Sequence, residues 1–276
     1  MLDQIKETKE FLQRKITVSP VAGIVLGTGL GNLSTEIKVD VAIPYAEIPH
    51  FPVSTVEGHH GQLLFGHLNG VPVVAMQGRF HYYEGYSLKE CTFPIRVMHA
   101  LGIKNLILSN ASGGVNPDFE IGDIMLITDH INMLPDNPLR GKNINELGPR
   151  FPDMSEPYSK KLNTLVRKIA ADHNIKLQEG VYVVLSGPTF ETPAEYKMMR
   201  IIGGDTVGMS TVPEVIVANH MGLPCMALSI ITDLGVDGKI VEISHEEVQE
   251  VAKASEPKMT LIVKEVLSQI YALNPA

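Results

Sequence analysis

Several short stretches of this chain carry residue types that can hold a polar ligand. Phe190 and Glu191 stand together in SGPTFETPAE at 186–195. An aromatic ring can stack on a flat heterocycle while the neighbouring carboxylate accepts its N–H groups. A glutamate near a helix start also has an ordinary reading, as a partner of the helix dipole. GRFHYYEGY at 78–86 puts Arg79 two residues before His81. In an extended backbone the two share a face, and a guanidinium grips an oxyanion with a fork of donors; a surface Arg and a packed His fit the same spacing. GTGLG at 27–31 follows an apolar run. Its N–H groups can cradle an anion, with Thr28 adding a hydroxyl, although pattern alone favours a plain tight turn. It is neither G-x-G-x-x-G, since position 32 is Asn, nor a P-loop, since no Lys follows the glycines.

EGHHG at 57–61 pairs His59 with His60. Adjacent side chains point apart, and no His-x-x-x-His or cysteine cluster accompanies them, so anion contact or polar packing is favoured over a metal. In GMSTVPEV at 208–215, Met209 and Ser210 precede Pro213, a proline placed as at a helix start. In SIITDLG at 229–235 an apolar run ends on Thr232-Asp233, and an acid at a strand end is a candidate proton donor or acceptor. His245 opens a final helical stretch. Together these groups fit a pocket for a phosphate-sized anion and a planar polar ring.

The elements that position them follow from periodicity. Residues 2–15 read as an amphipathic helix, 21–26 as a buried strand, and 61–77 as two strands turned at Asn69-Gly70. A helix over 87–101 has Ser87 as its cap. A strand over 104–110 ends at Asn110-Ala-Ser-Gly-Gly114. Further strands are expected at 123–128 and 180–186, a helix at 158–173, shorter units through 194–232, and a last helix at about 245–270. Strands alternating with helices indicate an α/β protein. No linker divides it, so 1–276 is expected to be one domain. Residues 131–153 carry four prolines without periodicity. A loop of that length has a function or disorder as its usual reason, and its apolar residues, Phe151 included, are expected to pack on something.

Composition narrows the setting. The 276 residues are 44% hydrophobic, enough for a sizeable core. Lys plus Arg number 23 against 31 Asp plus Glu, a net charge of −8, which makes nucleic acid a poor partner. The uncharged stretch 215–232 contains Asn219, His220, Gly222 and Pro224, and reads as a buried helix, turn and strand rather than a membrane span. Cys91 and Cys225 lie far apart in a chain with no apolar leader at its start, and are expected to be reduced in a cytoplasmic protein. The 24 Gly and 18 Pro imply many structured loops.

The same motifs, joined by FEIGDIMLITDHINMLPDNPLRG at 119–141, resemble the purine nucleoside phosphorylases of the trimeric, low-molecular-mass class over about residues 20–265. The resemblance implies a single α/β domain around a twisted mixed sheet, assembled as a homotrimer. It implies phosphorolysis of purine (deoxy)ribonucleosides, inosine and guanosine foremost, to free base and (deoxy)ribose 1-phosphate. Phosphate is the co-substrate, and no cofactor or metal is implied. By position, Thr28, His59, Arg79, His81, Ala111 (through its backbone) and Ser210 would meet phosphate. Tyr83, Met209 and His245 would meet the ribose, with Phe151 reaching in from a neighbouring subunit. Phe190, Glu191 and Asp233 would meet the base, and His81, Glu191 and Asp233 would be catalytic.

Two positions depart from the family. Asp233 stands where 6-oxopurine-selective members have Asn. An ionised Asp cannot donate to N7, whereas a protonated one can act as a general acid, and acceptance of adenosine is a possible consequence. Leu234 replaces a commonly basic residue. The counterpart of 235–244 moves over the site in the family. A methylthioadenosine phosphorylase, a nucleoside hydrolase and a non-catalytic nucleoside binder are the alternative readings. Glu191 and His59 count against the first, the retained anion set against the second, and intact Glu191 and Arg79 against the third.

Overall fold

The computed structural model describes residues 1–28, 30–53 and 61–273. Among the described residues nine strands form one mixed sheet: β1 (Ala22–Leu26), β2 (Lys38–Pro44), β3 (Gln62–Leu68), β4 (Val71–Gln77), β5 (Asn105–Gly114), β6 (Ile124–Asn132), β7 (Leu177–Val184), β8 (Thr206–Gly208) and β9 (Cys225–Leu234). Their order is β2-β3-β4-β1-β5-β8-β7-β6-β9, and β9 also pairs with β5. The second half of the sheet therefore closes on itself as a five-stranded ring. β5 can belong to both halves because it is ten residues long: its start pairs with β1, its end with β8, and its other edge with β9.

Seven helices among the described residues accompany the sheet: α1 (Leu2–Gln13), α2 (Leu33–Glu36), α3 (Leu88–Ala100), α4 (Lys160–Asp172), α5 (Pro193–Ile201), α6 (Val212–His220) and α7 (His245–Leu273). Strand side chains alternate between faces, and β1 divides accordingly. Val25 joins a core with Ile5 and Leu12 of α1, Phe93 and Val97 of α3, and Val215 of α6. Ala22, Ile24 and Leu26 join an opposite core with Leu33 of α2, Val166 of α4, and Ile262 and Val266 of α7. A smaller cluster of Val115, Val183, Tyr196, Met199 and Val207 lies under α5.

Most expected elements stand where periodicity places them. Asn69 and Gly70 both take positive φ, 51° and 80°, as a two-residue hairpin requires. Ser87 caps α3 in a reciprocal box with Glu90. Three departures matter. The strand expected to end at Asn110 runs on to Gly114, because Ala111–Gly114 continue pairing with β9. β2 was not anticipated. In the 131–153 segment, Leu134, Leu139 and Leu147 pack on the first core, but Phe151 does not: it is 86% exposed, with the Arg150 guanidinium over its ring. No helix among the described residues is long and apolar enough to cross a membrane.

Candidate active site

β4 and β5 run parallel to β1, and β9 runs parallel to β5, so the carboxyl ends of all four open on one rim. That is where α/β sheets gather ligands. A cleft lies there, lined by Thr28, Arg79, His81, Tyr83, Asn110–Gly113, Phe190, Glu191, Val207–Ser210, Thr232, Asp233, His245 and Val248. Every expected site residue within the described segments except Phe151 therefore borders one cleft. Phe151 instead borders a separate groove with His130, Arg140 and Met154. His59 lies outside the described residues.

Arg79 forms the floor and is 1% exposed. Its Nε donates to Glu214 Oε1 at 3.0 Å, while Nη1 donates to the Ser109 carbonyl at 2.6 Å and to Ser210 Oγ at 3.2 Å. Glu214 comes from the first turn of α6 and neutralises the buried guanidinium. The approach depends on Gly27, where a Cβ would stand 2.7 Å from Nη1 and 2.5 Å from the Ser109 oxygen. GTGLG thus carries one glycine set by close packing of the arginine.

His81 is extended and caps a 3-10 turn over Tyr82–Glu84. Its Nδ1 meets Glu84 Oε1 at 2.9 Å, and its ring stacks on Tyr83 at 4.6 Å. Burial is the largest influence on its pKa and holds it below the ordinary imidazole value, with Glu84 pulling the other way.

Ser210 sits on a strained turn. Thr211 has φ 71° and ψ −52°, and the Val212 N–H donates to the Ser210 carbonyl at 2.7 Å. This is a γ-turn of the strained hand, rare for a β-branched residue. A buried relay holds it. Ser229 Oγ donates to Asn110 Oδ1 at 2.5 Å and meets Ser112 Oγ at 2.6 Å. Asn110 Nδ2 donates to Thr211 Oγ1 at 2.8 Å, and Thr211 Oγ1 lies 3.2 Å from Ser210 Oγ. Ser210 Oγ therefore accepts from Arg79 and shares a hydrogen bond with Thr211, in which either hydroxyl can be the donor.

The other side of the cleft is acidic. Asp233 is 8% exposed. Its Oδ2 accepts from Tyr196 Oη at 3.2 Å, and its Oδ1 lies 3.1 Å from Thr232 Oγ1. Burial raises its pKa, against the lowering effect of those hydrogen bonds. Burial also raises Glu191, and the charge of Asp233 adds to it. Phe190, beside Glu191, is 44% exposed. Thr192 starts α5 in a capping box with Glu195, which fixes where the Phe190–Glu191 pair leaves the helix. The cleft therefore joins a donor-rich end, suited to an oxyanion, with a carboxyl pair suited to a hydrogen-bonding ring.

Sequence reasoning missed Asn110, Tyr196, Thr211, Glu214 and Glu256. Glu256 accepts from the Asn32 and Leu33 N–H groups and from Asn32 Nδ2, holding the start of α2 against α7. Each of them has a partner distant in sequence. The one local signal was the repeated polarity of Asn110, Ser112 and Ser229 inside otherwise apolar strands.

Comparison with known proteins identifies the family. A model of the phosphorylase superfamily matches residues 21–268. Purine nucleoside phosphorylase 1 of Geobacillus stearothermophilus is 52% identical over 95% of this chain and 96% of its own length. Two solved structures superpose with a TM-score of 0.91, each covering 96% of both chains. One is a Schistosoma purine nucleoside phosphorylase with hypoxanthine, 39% identical. The other is isoform 2 of the Schistosoma mansoni enzyme with cytosine and ribose-1-phosphate, 42% identical. With its sheet, its rim cleft and this degree of identity, the chain belongs to the phosphorylase superfamily and, within it, to the purine nucleoside phosphorylases.

Proposed function

We propose that the chain cleaves the N-glycosidic bond of purine (deoxy)ribonucleosides, inosine and guanosine foremost, with inorganic phosphate. The supporting observation is that Thr28, Arg79, His81 and Ser210 share one cleft with Glu191 and Asp233. A hydrolase needs no oxyanion cradle, and a simple binder needs no buried acid beside the base. Relatives named for this activity, and solved relatives holding hypoxanthine or ribose-1-phosphate, support the same reading.

Phosphate rests on Thr28, Arg79, His81, the Ala111 backbone and Ser210, with His59 from outside the described residues. The ribose lies by Tyr83, Met209 and His245, and the base between Phe190, Glu191 and Asp233. As the C1′–N9 bond breaks, its electron pair passes to the purine and the sugar becomes cationic. Phosphate beneath stabilises that charge and closes the new C1′–O bond. Glu191 accepts from N1–H while Asp233 gives a proton to N7, both acting on charge that develops in the transition state. Phosphate is the nucleophile, so these steps call for no metal or organic cofactor.

The exposed Phe151 suits a ring that covers a neighbour's ribose site, which supports a homotrimer; the setting is cytoplasmic. The deciding experiment measures base release from inosine and guanosine with and without phosphate. Strict phosphate dependence with ribose 1-phosphate as product is expected. Equal release without phosphate would overturn the reading in favour of a hydrolase.

A further inference from the structure

Tyr196 borders no part of the cleft, yet its hydroxyl reaches both acids that do. It donates to Asp233 Oδ2 at 3.2 Å and is also hydrogen-bonded to Glu191. The surroundings are shaped around this ring. A Cβ at Gly235 would stand 2.2 Å from Tyr196 Cδ1, and one at Gly113 would stand 2.9 Å from Asp233 Oδ2. Val115, Val183, Met199 and Val207 pack the ring from below. The phenol is therefore a fixed post between two carboxyls.

We propose that Glu191, Tyr196 and Asp233 share one proton, and that Tyr196, as a positioning residue, lets the same pocket read either a 6-oxopurine or a 6-aminopurine. This rests on the phosphorylase reading above. Two carboxyls bonded to one phenol in one cleft do not both ionise readily, and they titrate as a pair. Burial raises each of them, and the charge of Asp233 raises Glu191 further. The other titratable groups facing the cleft are Arg79, His81, Tyr83 and His245, and Glu195 bears on Glu191 from α5.

One proton serves both kinds of base. A 6-oxopurine presents N1–H as donor and N7 as acceptor, matching an ionised Glu191 and a protonated Asp233. A 6-aminopurine presents N1 as acceptor and its amino group as donor, matching a protonated Glu191 and an ionised Asp233. The two states interconvert without gain or loss: Asp233 O–H passes its proton to the Tyr196 oxygen as Tyr196 passes its own to Glu191. Only the first state has a proton at Asp233 to give to N7. The two substrates therefore differ in kcat more than in KM.

The test compares inosine and adenosine across pH at saturating phosphate, using the full chain and its Tyr196→Phe and Asp233→Asn variants. The wild type is expected to turn over both. Its two kcat/KM profiles should share the same limbs, since one protonation state of the free enzyme binds each substrate. Tyr196→Phe removes the donor to an ionised Asp233. Adenosine should fall relative to inosine by roughly tenfold, the size of one hydrogen bond to a charged group, and the limbs should move upward while KM for phosphate stays put. Asp233→Asn dissolves the acid pair and leaves Glu191 ionised, so adenosine should again fall relative to inosine. Should Tyr196→Phe fail to fold, the Asp233→Asn ratio carries the test. Wild type active on inosine but inactive on adenosine overturns the inference alone. So does a folded Tyr196→Phe enzyme with unchanged ratio and limbs. Absence of phosphorolysis on either nucleoside overturns the underlying reading as well.

Discussion

At the scale of the residue, Asp233 ties function to stability. Burial raises its pKa in the folded chain above the unfolded value. Such a carboxyl favours the fold while protonated in both states, and that contribution is lost as pH rises through the raised folded value. Asp233→Asn keeps an acceptor for Tyr196 and removes the titration. The variant should therefore be the more stable at neutral and alkaline pH, with the gap in Tm closing as pH falls toward the ordinary Asp range of about 4. A gap that widens on acidification would contradict this. Arg79 behaves oppositely. Arg79→Ala strands Glu214, which is 4% exposed, beside no guanidinium. A loss of about 3–5 kcal/mol is expected, as when one partner of a buried ion pair is removed, read as a shift in the urea midpoint. Both residues were legible in advance as chemistry, Arg79 through its distance from His81 and Asp233 through its place at a strand end. Tyr196 was not: Asp233 lies 37 positions away, and the nearby Glu191 carries no pattern that singles out a tyrosine in α5.

At the scale of the element, the site depends on strands that continue past their apolar runs. The 104–110 strand was expected to stop where polarity begins. It continues because Asn110, Ser112 and Ser229 satisfy one another inside the sheet, so polar residues there mark a relay and not a boundary. Asn110→Ala should leave Thr211 and Ser229 short of a partner, at a cost of about 1–3 kcal/mol. It should also raise KM for phosphate more than KM for nucleoside, because the strained turn under Ser210 loses its support. Equal changes in the two constants would place the relay's role elsewhere. β2 was missed although Val39, Val41 and Ile43 alternate with Lys38 and Asp40. A bulge between Val39 and Val41 breaks the register, and Ile43 alone on this strand is buried. α7 lines the cleft with His245 at its start, and through Glu256 it holds Asn32 and Leu33 at the start of α2. Glu256→Ala should lower Tm and weaken phosphate more than nucleoside, measured by separate titrations of the two substrates.

At the scale of the whole molecule, helix and strand alternation was enough to read the α/β class, but not the ring that β9 closes against β5. That closure rests on pairings 119 positions apart, Leu106 with Cys225 through Asn110 with Ser229, and local periodicity carries no information on them. Assembly was read from motif likeness, and Phe151 gives it a physical handle. Phe151→Ala should raise KM for nucleoside while KM for phosphate holds, and light scattering should still report a trimer if other contacts carry the interface. A wild-type monomer with full activity would remove the cross-subunit role.

The ring has a further consequence for how copies of this chain can meet. A sheet closed at one end offers few unpaired backbone groups there, which leaves β2 as the terminal strand among the described residues. That strand carries Lys38 and Asp40, a bulge, and a proline at Pro44, the features by which natural sheets discourage strand addition. Extension of one sheet into another copy's sheet is thereby discouraged. A contact between copies would then fall to side chains on loops and helices, which single substitutions can alter without touching the hydrogen-bonded frame that holds the cleft.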